Sequence, residues 1–240
     1  MTANIKSEIQ GFSKQYSYFS GTFLKEYLRK KKISSVPSTI NQYLSQLKKE
    51  NIIFDAGRGW YSNIKNTFQS ESVFQNNIVN SITKDFPFLE FNCWSISQIK
   101  DYFHHLFTKD IVFVFSSFDS LSSLNDHLTA NGFKVYNNPG KQIVKDYFIL
   151  QNNTVILRPS ISEEPKNGFS SPVEKILIDL FLEKDKLNLL EGTEYKRIFF
   201  NLICSNRINM AQLLRYSSRR EVKTTFIKNI LMSDKFVICR

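Results

Sequence analysis

Apolar residues near the start of the chain recur with the spacing of amphipathic helices. Positions 23, 24, 27 and 28 are apolar, and this i, i+1, i+4, i+5 pattern predicts a helix with Ser20 as its N-cap. Because proline fixes the φ angle needed to start a helix, Pro37 predicts a second helix that continues to Lys49 after a short turn. A further helix over residues 4–14 would precede both, so the pattern predicts a three-helix core.

The predicted helix from Pro37 to Lys49 has one apolar face and one polar face. Its inward positions are Ile40, Tyr43, Leu44 and Leu47. Its outward positions are Ser38, Asn41, Gln42, Ser45, Lys48 and Lys49. Asparagine and glutamine amides can pair bidentately with adenine in the major groove, serine can bond to bases or phosphates, and lysine suits flanking phosphates. We interpret these six outward residues as a DNA-binding surface, which we call the reading face.

Residues 51–62 predict a β-hairpin, because two strand-like runs flank the turn Gly57-Arg58-Gly59. Arg58 at the tip is placed to reach a phosphate or the minor groove, and Trp60 is expected to pack the hairpin onto the helices. The order helix, turn, polar-faced helix, hairpin predicts a winged helix-turn-helix over residues 1–66 that binds double-stranded DNA. Winged helices also serve as dimerisation or protein-docking modules, so that alternative stays open.

The distribution of charge supports a nucleic-acid partner. The net charge is +10, with 11 Lys and Arg against 4 Asp and Glu in residues 1–66, and 8 against 2 in residues 205–240. Residues 67–204 hold 13 against 16 and are slightly acidic. Positive charge concentrated in a small segment is typical of proteins that bind the phosphate backbone, although a solvated basic surface has the same composition.

Beyond residue 66, helical and strand-like stretches alternate. The polar segment 63–72 marks the predicted boundary, so residues 67–240 form a second, larger domain. Helices are predicted near residues 73–85, 97–107, 121–131, 173–182, 195–204, 210–217 and 221–231, and strands near 88–94, 111–115, 133–136, 147–150 and 154–157. This alternation predicts a mixed sheet covered by helices, with helices at the end, and assigns the chain to the α+β class.

The sequence offers little sign of export or of a cofactor. Cys93, Cys204 and Cys239 are widely spaced and are expected to be reduced, mostly buried thiols. No apolar leader and no run of 18 apolar residues occurs, which predicts a cytoplasmic protein without a membrane partner. Phosphate-binding glycine loops and the GxSxG motif are absent, and the histidines at positions 104, 105 and 127 lack the spacing of metal ligands. We therefore expect no catalytic residue, metal or cofactor.

One pattern leaves an enzymatic alternative open. Asp146, on a predicted strand, is followed by Glu164-Pro165-Lys166, a formal D…ExK arrangement of the kind that metal-dependent nucleases use to hold Mg²⁺. The second half of this pattern lies in a Pro- and Ser-rich loop, so Glu163, Glu164 and Lys166 are more economically interpreted as a solvated loop. A ligand-responsive regulator is a third possibility.

The segment 170–181 predicts a well-capped helix. Ser171 is expected to cap it and Pro172 to occupy its first position, with apolar side chains facing the core.

Several short segments in this order resemble the AbiEi type of antitoxin from type IV toxin–antitoxin and phage abortive-infection systems. They are Gly57-Arg58-Gly59-Trp60-Tyr61, the helix 172–180 with its Pro-Val-Glu-Lys-Ile-Leu-Ile-Asp-Leu sequence, and Leu213-Leu214-Arg215-Tyr216-Ser217-Ser218-Arg219-Arg220, together with 92–95 and 132–139. The resemblance implies a first domain that represses its own promoter. It also implies a second domain that counters a nucleotidyltransferase-like toxin.

The basic end of the chain is a second candidate surface. Arg215, Arg219 and Lys223 recur at i, i+4 and i+8 and predict one cationic stripe on a helix, with Arg220 beside it. Such a stripe suits an acidic partner, RNA or DNA phosphates, or is a solvated surface. Our hypothesis is that it serves the antitoxin-like domain separately from the winged helix.

Overall fold

The computed structural model describes residues 5–33, 36–69, 72–103, 109–222 and 236–239. It divides the chain into two compact units: Met1–Phe68 together with Phe199–Arg240, and Gln69–Ile198. The first segment ends near the expected boundary at residue 66. The last 42 residues, however, join the first unit, whereas the sequence analysis assigned them to the second domain.

Both units contain helices and strands. The first part contains α1 (Ile5–Gln15), β1 (Tyr18–Ser20), α2 (Gly21–Lys30), α3 (Pro37–Lys49), β2 (Phe54–Asp55) and β3 (Trp60–Ser62). The middle contains α4 (Val73–Asp85), β4 (Phe91–Ser95), β5 (Ile111–Ser116), α5 (Leu121–Ala130), β6 (Lys134–Asn137), α6 (Lys141–Tyr147) and β7 (Thr154–Pro159). The last part contains α7 (Val173–Lys186), α8 (Gly192–Ser205), α9 (Met210–Arg219) and β8 (Phe236–Val237). The α+β class predicted from the sequence is confirmed.

Three helices of the first unit enclose one apolar core. The Ser20 hydroxyl caps α2 by accepting a hydrogen bond of 3.1 Å from the Phe23 amide, as predicted. Helix α3 begins at Pro37 and ends at Lys49, the predicted bounds. The core consists of Ile9, Phe12, Phe19, Leu24, Leu28, Ile40, Leu44, Leu47 and Ile53. Tyr43 is half-buried against it, so the predicted inward face of α3 is confirmed.

The C-terminal segment completes the sheet of this unit. The strand order is β2-β3-β1-β8, and each neighbouring pair is antiparallel. A disulfide joins Cys204 at the end of α8 to Cys239, with a Cα–Cα distance of 5.3 Å. The expectation of three reduced thiols is therefore wrong for this pair, because the return of the chain to β1 brings together two cysteines that are 35 residues apart. Cys93 is free and buried, as expected.

The second unit is built on a sheet of order β4-β5-β7-β6. Strand β4 is antiparallel to β5, while β7 is parallel to both β5 and β6. Alternate strand residues such as Val112, Val114 and Leu157 pack against α4 and α5. The opposite face of the sheet contacts α7, where the ammonium of Lys175 lies over the ring of Phe115.

Two predicted elements of this unit differ in the structure. The expected helix over 97–107 is a 3₁₀ helix, Ile96–Tyr102, and residues 104–108 lie outside the described part of the chain. The expected strand at 147–150 is absent, because α6 ends at Tyr147 and the backbone that follows bonds to a side chain. The amide of Ile149 donates to the Tyr136 hydroxyl at 2.9 Å rather than to a neighbouring strand.

Charged side chains are buried along α7. Lys175 donates a hydrogen bond of 2.6 Å to Asp179, and neither side chain is exposed. Glu164, expected in a solvated loop, is 4% exposed and lies 3.4 Å from the Lys175 ammonium. That expectation is wrong, because the loop folds over α7 and Asn92 also donates to the Glu164 carboxylate at 2.9 Å.

The start of α7 also differs from the prediction. The N-cap residue is Pro172, without a side-chain cap. The Ser171 hydroxyl donates instead to the Asn92 amide oxygen at 2.8 Å. The buried polar network of the second unit therefore takes the hydroxyl that was expected to cap the helix.

Among the helices that the structure describes, none combines the length and the apolar character needed to cross a bilayer.

Candidate nucleic-acid interface

The six residues of the reading face all lie on the exposed side of α3. Ser38, Asn41, Gln42, Ser45, Lys48 and Lys49 are each exposed. They project outward because Ile40, Leu44 and Leu47 hold the opposite side of the helix in the core, where each is at most 3% exposed. The side chains of the reading face are therefore available to a ligand, and their role in DNA binding stays a prediction.

The hairpin that follows α3 has a tight turn. Gly57 and Gly59 have φ angles of +99° and +78°, a region in which glycine has no Cβ to clash. The Asp55 carboxylate accepts a hydrogen bond of 2.8 Å from the Gly57 amide and so fixes the start of the turn. Arg58 lies between the two glycines and is exposed, whereas Trp60 is buried.

Short contacts hold the hairpin against the helices. The carbonyl of Leu47 in α3 accepts from the Ile52 amide at 3.0 Å, and the amide of Gly21 in α2 donates to the Gly59 carbonyl at 2.9 Å. The Lys48 ammonium lies 4.0 Å from the Asp55 carboxylate. Since these contacts join the first part of the hairpin to α3 and its turn to α2, the reading face and Arg58 belong to one packed unit.

A groove between α2 and α3 adds cations that the sequence analysis did not assign to a site. It has a volume of about 460 Å³ and an apolar floor that includes Leu28 and Ile40. Lys25, Arg29 and Lys32 line it, and all three are exposed. We call these three residues the cationic groove. Its signal in the sequence is the spacing from 25 to 29, which places two cations one turn apart on α2.

Other cations of this unit are engaged in ion pairs. Lys31 donates a hydrogen bond of 2.9 Å to Glu8, and this bond is the main reason that the pKa of Lys31 is raised above its ordinary value. Lys6 pairs with Glu50. Lys31 therefore belongs to the packing of α1 against α2, although it lies in the same basic run as Arg29 and Lys32.

The structure places the predicted cationic stripe on α9. Arg215 and Arg219 are exposed on this helix, and Arg220 is half-buried as its C-cap residue. Helix α9 ends at Arg219, and Glu221 adopts a φ of +53°. The helix therefore carries only two members of the predicted stripe, and Lys223 lies outside the described residues.

Both basic ends of the sequence belong to the first unit. Its two segments hold 19 Lys and Arg against 6 Asp and Glu, a net charge of +13. The second unit holds 13 against 16, a net charge of −3. The positive charge of the protein is thus concentrated in the unit that contains the reading face.

The residues of the D…ExK pattern have other surroundings than a metal site requires. Asp146 lies on α6 and not on a strand, and its carboxylate accepts a hydrogen bond of 2.6 Å from Gln142. Glu164 is held by Lys175 and Asn92. Within the described parts of the chain, no group of three His, Cys, Asp or Glu side chains is arranged to hold a metal ion.

Comparison with known proteins places most of the chain in one family. The model of DUF6577, a family of unknown function, matches residues 39–235. No curated protein matches the chain.

Proposed function

The chain belongs to the DUF6577 family of unknown function, and we propose from its own residues that it binds double-stranded DNA sequence-specifically and represses its own promoter. The reading face of α3 would enter the major groove, while the cationic groove and Arg58 would bind the phosphate backbone on either side.

One observation carries this proposal: exposed cations border the exposed polar face of α3 at both ends. Pro37, the first residue of α3, lines the same groove, so Lys25, Arg29 and Lys32 lie at the N-terminal end of the helix. Lys48 and Lys49 occupy its last turn. A helix that reads base edges presents amide and hydroxyl groups to the bases, and cations beside it bind the phosphates of the backbone. Helix α3 has the amide and hydroxyl groups, and the cations come from α2, the turn after it and the last turn of α3.

The element order of the first unit supports the same proposal. Helices α1, α2 and α3 are followed by a hairpin, and β1 pairs with β3 of that hairpin in the register Phe19 to Tyr61. This order agrees with a winged helix-turn-helix, in which the last helix reads the major groove and the hairpin reaches the backbone. The net charge of +13 in the unit agrees with a polyanionic partner.

The resemblance to AbiEi-type antitoxins extends the proposal to a partner. The second unit would counter a nucleotidyltransferase-like toxin, either by direct contact or functionally. A nucleotidyltransferase gene beside this one would support that extension, and loss of protection on deleting this gene would test it.

The test of DNA binding starts from selection of duplexes from a random library by the full-length protein. We expect one enriched motif, and fluorescence anisotropy should show tighter binding to that motif than to a scrambled duplex. Substituting Lys25, Arg29 and Lys32 with Gln should weaken binding to both duplexes, because phosphate contacts do not depend on sequence. The matched control changes Lys141 and Lys145, exposed lysines of α6 in the second unit, to Gln.

The outcomes separate the proposal from nonspecific attraction. An enriched motif, with loss of affinity in the groove variant and not in the control, would support it. Equal affinity of the wild-type protein for the selected and scrambled duplexes would overturn it.

A further inference from the structure

We infer that α9 is a second phosphate-binding element of the DNA interface, and that Arg215 contacts the backbone next to the position that Arg58 reaches. This inference rests on the proposed function. It replaces the hypothesis that the basic residues of α9 act separately from the winged helix.

The first turn of α9 rests directly on the hairpin. The amide of Met210 donates a hydrogen bond of 2.8 Å to the carbonyl of Ala56. A Cβ atom built on Gly57 would lie 2.0 Å from the Oδ1 atom of Asn209 and 2.9 Å from the Cβ atom of Ala211. Backbone of the hairpin and the start of α9 are therefore in van der Waals contact, immediately beside Arg58.

The remainder of the contact is made by the segment before α9. The guanidinium of Arg207 lies 4.7 Å from the centre of the Phe54 ring in β2. Arg207 also donates to the carbonyl of Lys65 at 3.1 Å, and its own amide donates to the carbonyl of Asn66 at 2.6 Å. Because Arg207 contacts β2 and the segment that follows β3, the position of α9 relative to the hairpin is fixed by several independent contacts.

Helical geometry then places Arg215 close to the hairpin tip and on the surface. Met210, Leu213, Tyr216 and Ser217 form the buried side of α9. Ala211, which faces Gly57, is four residues before Arg215, so Arg215 lies one turn, or about 6 Å, further along the same side. Arg219 follows after one more turn and is also exposed.

The charge of this surface suits a polyanion. Helix α9 contains no Asp or Glu, and Arg215 and Arg219 occupy its exposed side. Arg215 and Arg219 are one turn of α9 apart, or about 6 Å, which is close to the distance between neighbouring phosphates on one DNA strand. Each DNA strand carries a phosphate about every 3.4 Å along the duplex axis, and successive phosphates are also displaced around that axis. Arginine forks bind phosphate oxygens bidentately.

Continuity with the hairpin favours duplex DNA as the partner. Arg58, Arg215 and the reading face all belong to the first unit. A single rigid DNA duplex could therefore contact all three. An RNA or an acidic protein would not need this juxtaposition. The test below distinguishes duplex DNA from these other partners.

The test compares four full-length variants with the wild-type protein by fluorescence anisotropy on the selected duplex at several salt concentrations. Arg215→Gln should reduce the slope of log K against log salt by about 0.9, the value for one phosphate contact. Arg58→Gln should do the same as a reference for the hairpin. Arg197→Gln is the matched control, since Arg197 is an exposed helical arginine of the second unit, and it should leave the slope unchanged.

Ser218→Lys guards against a loss caused by misfolding. Ser218 is exposed on α9 between Arg215 and Arg219, so an added ammonium there should raise the slope by about 0.9. Misfolding cannot produce such a gain.

The outcomes distinguish this inference from the proposed function. A wild-type protein that does not bind the duplex, or that prefers an RNA hairpin, would overturn both. Normal duplex binding with a reduced slope for Arg58→Gln but a wild-type slope for Arg215→Gln would overturn the role of α9 alone. A reduced slope for Arg215→Gln together with a raised slope for Ser218→Lys would support it.

Discussion

Gly57 and Asn209, 152 positions apart, are packed so closely that a Cβ atom on Gly57 would lie 2.0 Å from the Asn209 Oδ1 atom. Asn209 is the N-cap residue of α9, where its Oδ1 atom accepts a hydrogen bond of 3.0 Å from the Gln212 amide. The turn of the hairpin therefore fits against the capped end of α9, and glycine is required there both by space and by its φ of +99°.

We predict that Gly57→Ala destabilises the first unit by about 2–5 kcal/mol, because backbone strain and steric overlap add. Gly59→Ala is the matched control: its φ is +78°, but a Cβ atom there meets no atom within 4 Å. Its cost should be about 1–2 kcal/mol, the strain alone. Urea unfolding followed by circular dichroism measures both, and equal costs would show that the contact with α9 does not form.

Reduction of the Cys204–Cys239 disulfide should lower the stability of the first unit. The bond closes a segment of 35 residues and holds β8 beside β1, where the Cys239 amide donates to the Ser17 hydroxyl at 2.8 Å. Loss of such a cross-link typically costs about 2–4 kcal/mol. We expect urea midpoints to fall with dithiothreitol in the wild-type protein and to be insensitive to it in Cys239→Ser. A midpoint that dithiothreitol leaves unchanged in the wild-type protein would contradict this expectation.

The periodicity of the sequence was sufficient to predict the core of the first unit. Helix α3 has its predicted bounds because Pro37 fixes its start and the apolar residues recur at helical spacing throughout. The exposed positions of the reading face follow from the same pattern. Arg58 could be placed at the hairpin tip because glycines flank it.

Features that depend on distant contacts were not predictable in this way. The pairing of Cys204 with Cys239 requires the return of β8 to β1, and the packing of α9 on Gly57 has no local signal. Glu164 looked solvated because its loop is rich in polar residues, whereas its burial depends on partners distant in the sequence, the ammonium of Lys175 and the amide of Asn92.

Lys175 gives a prediction for the second unit. Its ammonium is fully buried and pairs with Asp179 at 2.6 Å and with Glu164 at 3.4 Å. Lys175→Met would leave two buried carboxylates without their cation, so the free energy of unfolding should fall by about 3–5 kcal/mol.

A surface pair supplies the control for this change. Lys166 pairs with Glu90 at 3.2 Å, with both side chains more than half exposed. Lys166→Met should change the free energy of unfolding by about 0–1 kcal/mol. Similar costs for Lys175→Met and Lys166→Met in the same urea titration would mean that Lys175 is not buried as described.

Cys93 should be unreactive in the folded protein. Burial raises the pKa of its thiol to about 12 and outweighs the opposing effect of Gln75. The thiol therefore stays protonated and shielded in mildly alkaline buffer, where iodoacetamide reacts only with an accessible thiolate. Because the pKa of Cys93 is higher in the folded state than in the unfolded state, the protonated thiol contributes to the free energy of unfolding below pH 9.0. This contribution is lost as the pH rises towards 12. Mass spectrometry should find Cys93 alkylated only after denaturation, and rapid alkylation of the native protein would contradict its burial.

Asn41 and Gln42 should determine base preference, whereas Lys49 should contribute affinity for any sequence. All three are exposed on α3, but the amides offer a donor and an acceptor to a base edge and the lysine offers only charge. Asn41→Ala or Gln42→Ala should therefore cost about 1–3 kcal/mol on the selected duplex and much less on a scrambled one. Lys49→Ala should weaken binding to both duplexes and reduce the salt slope by about 0.9. Anisotropy titrations of the three variants on both duplexes, with circular dichroism to verify folding, measure these effects. If Asn41→Ala and Gln42→Ala weaken binding to the two duplexes equally, α3 does not read bases. The affinity of the first unit for DNA would then come from electrostatic attraction to the phosphate backbone alone.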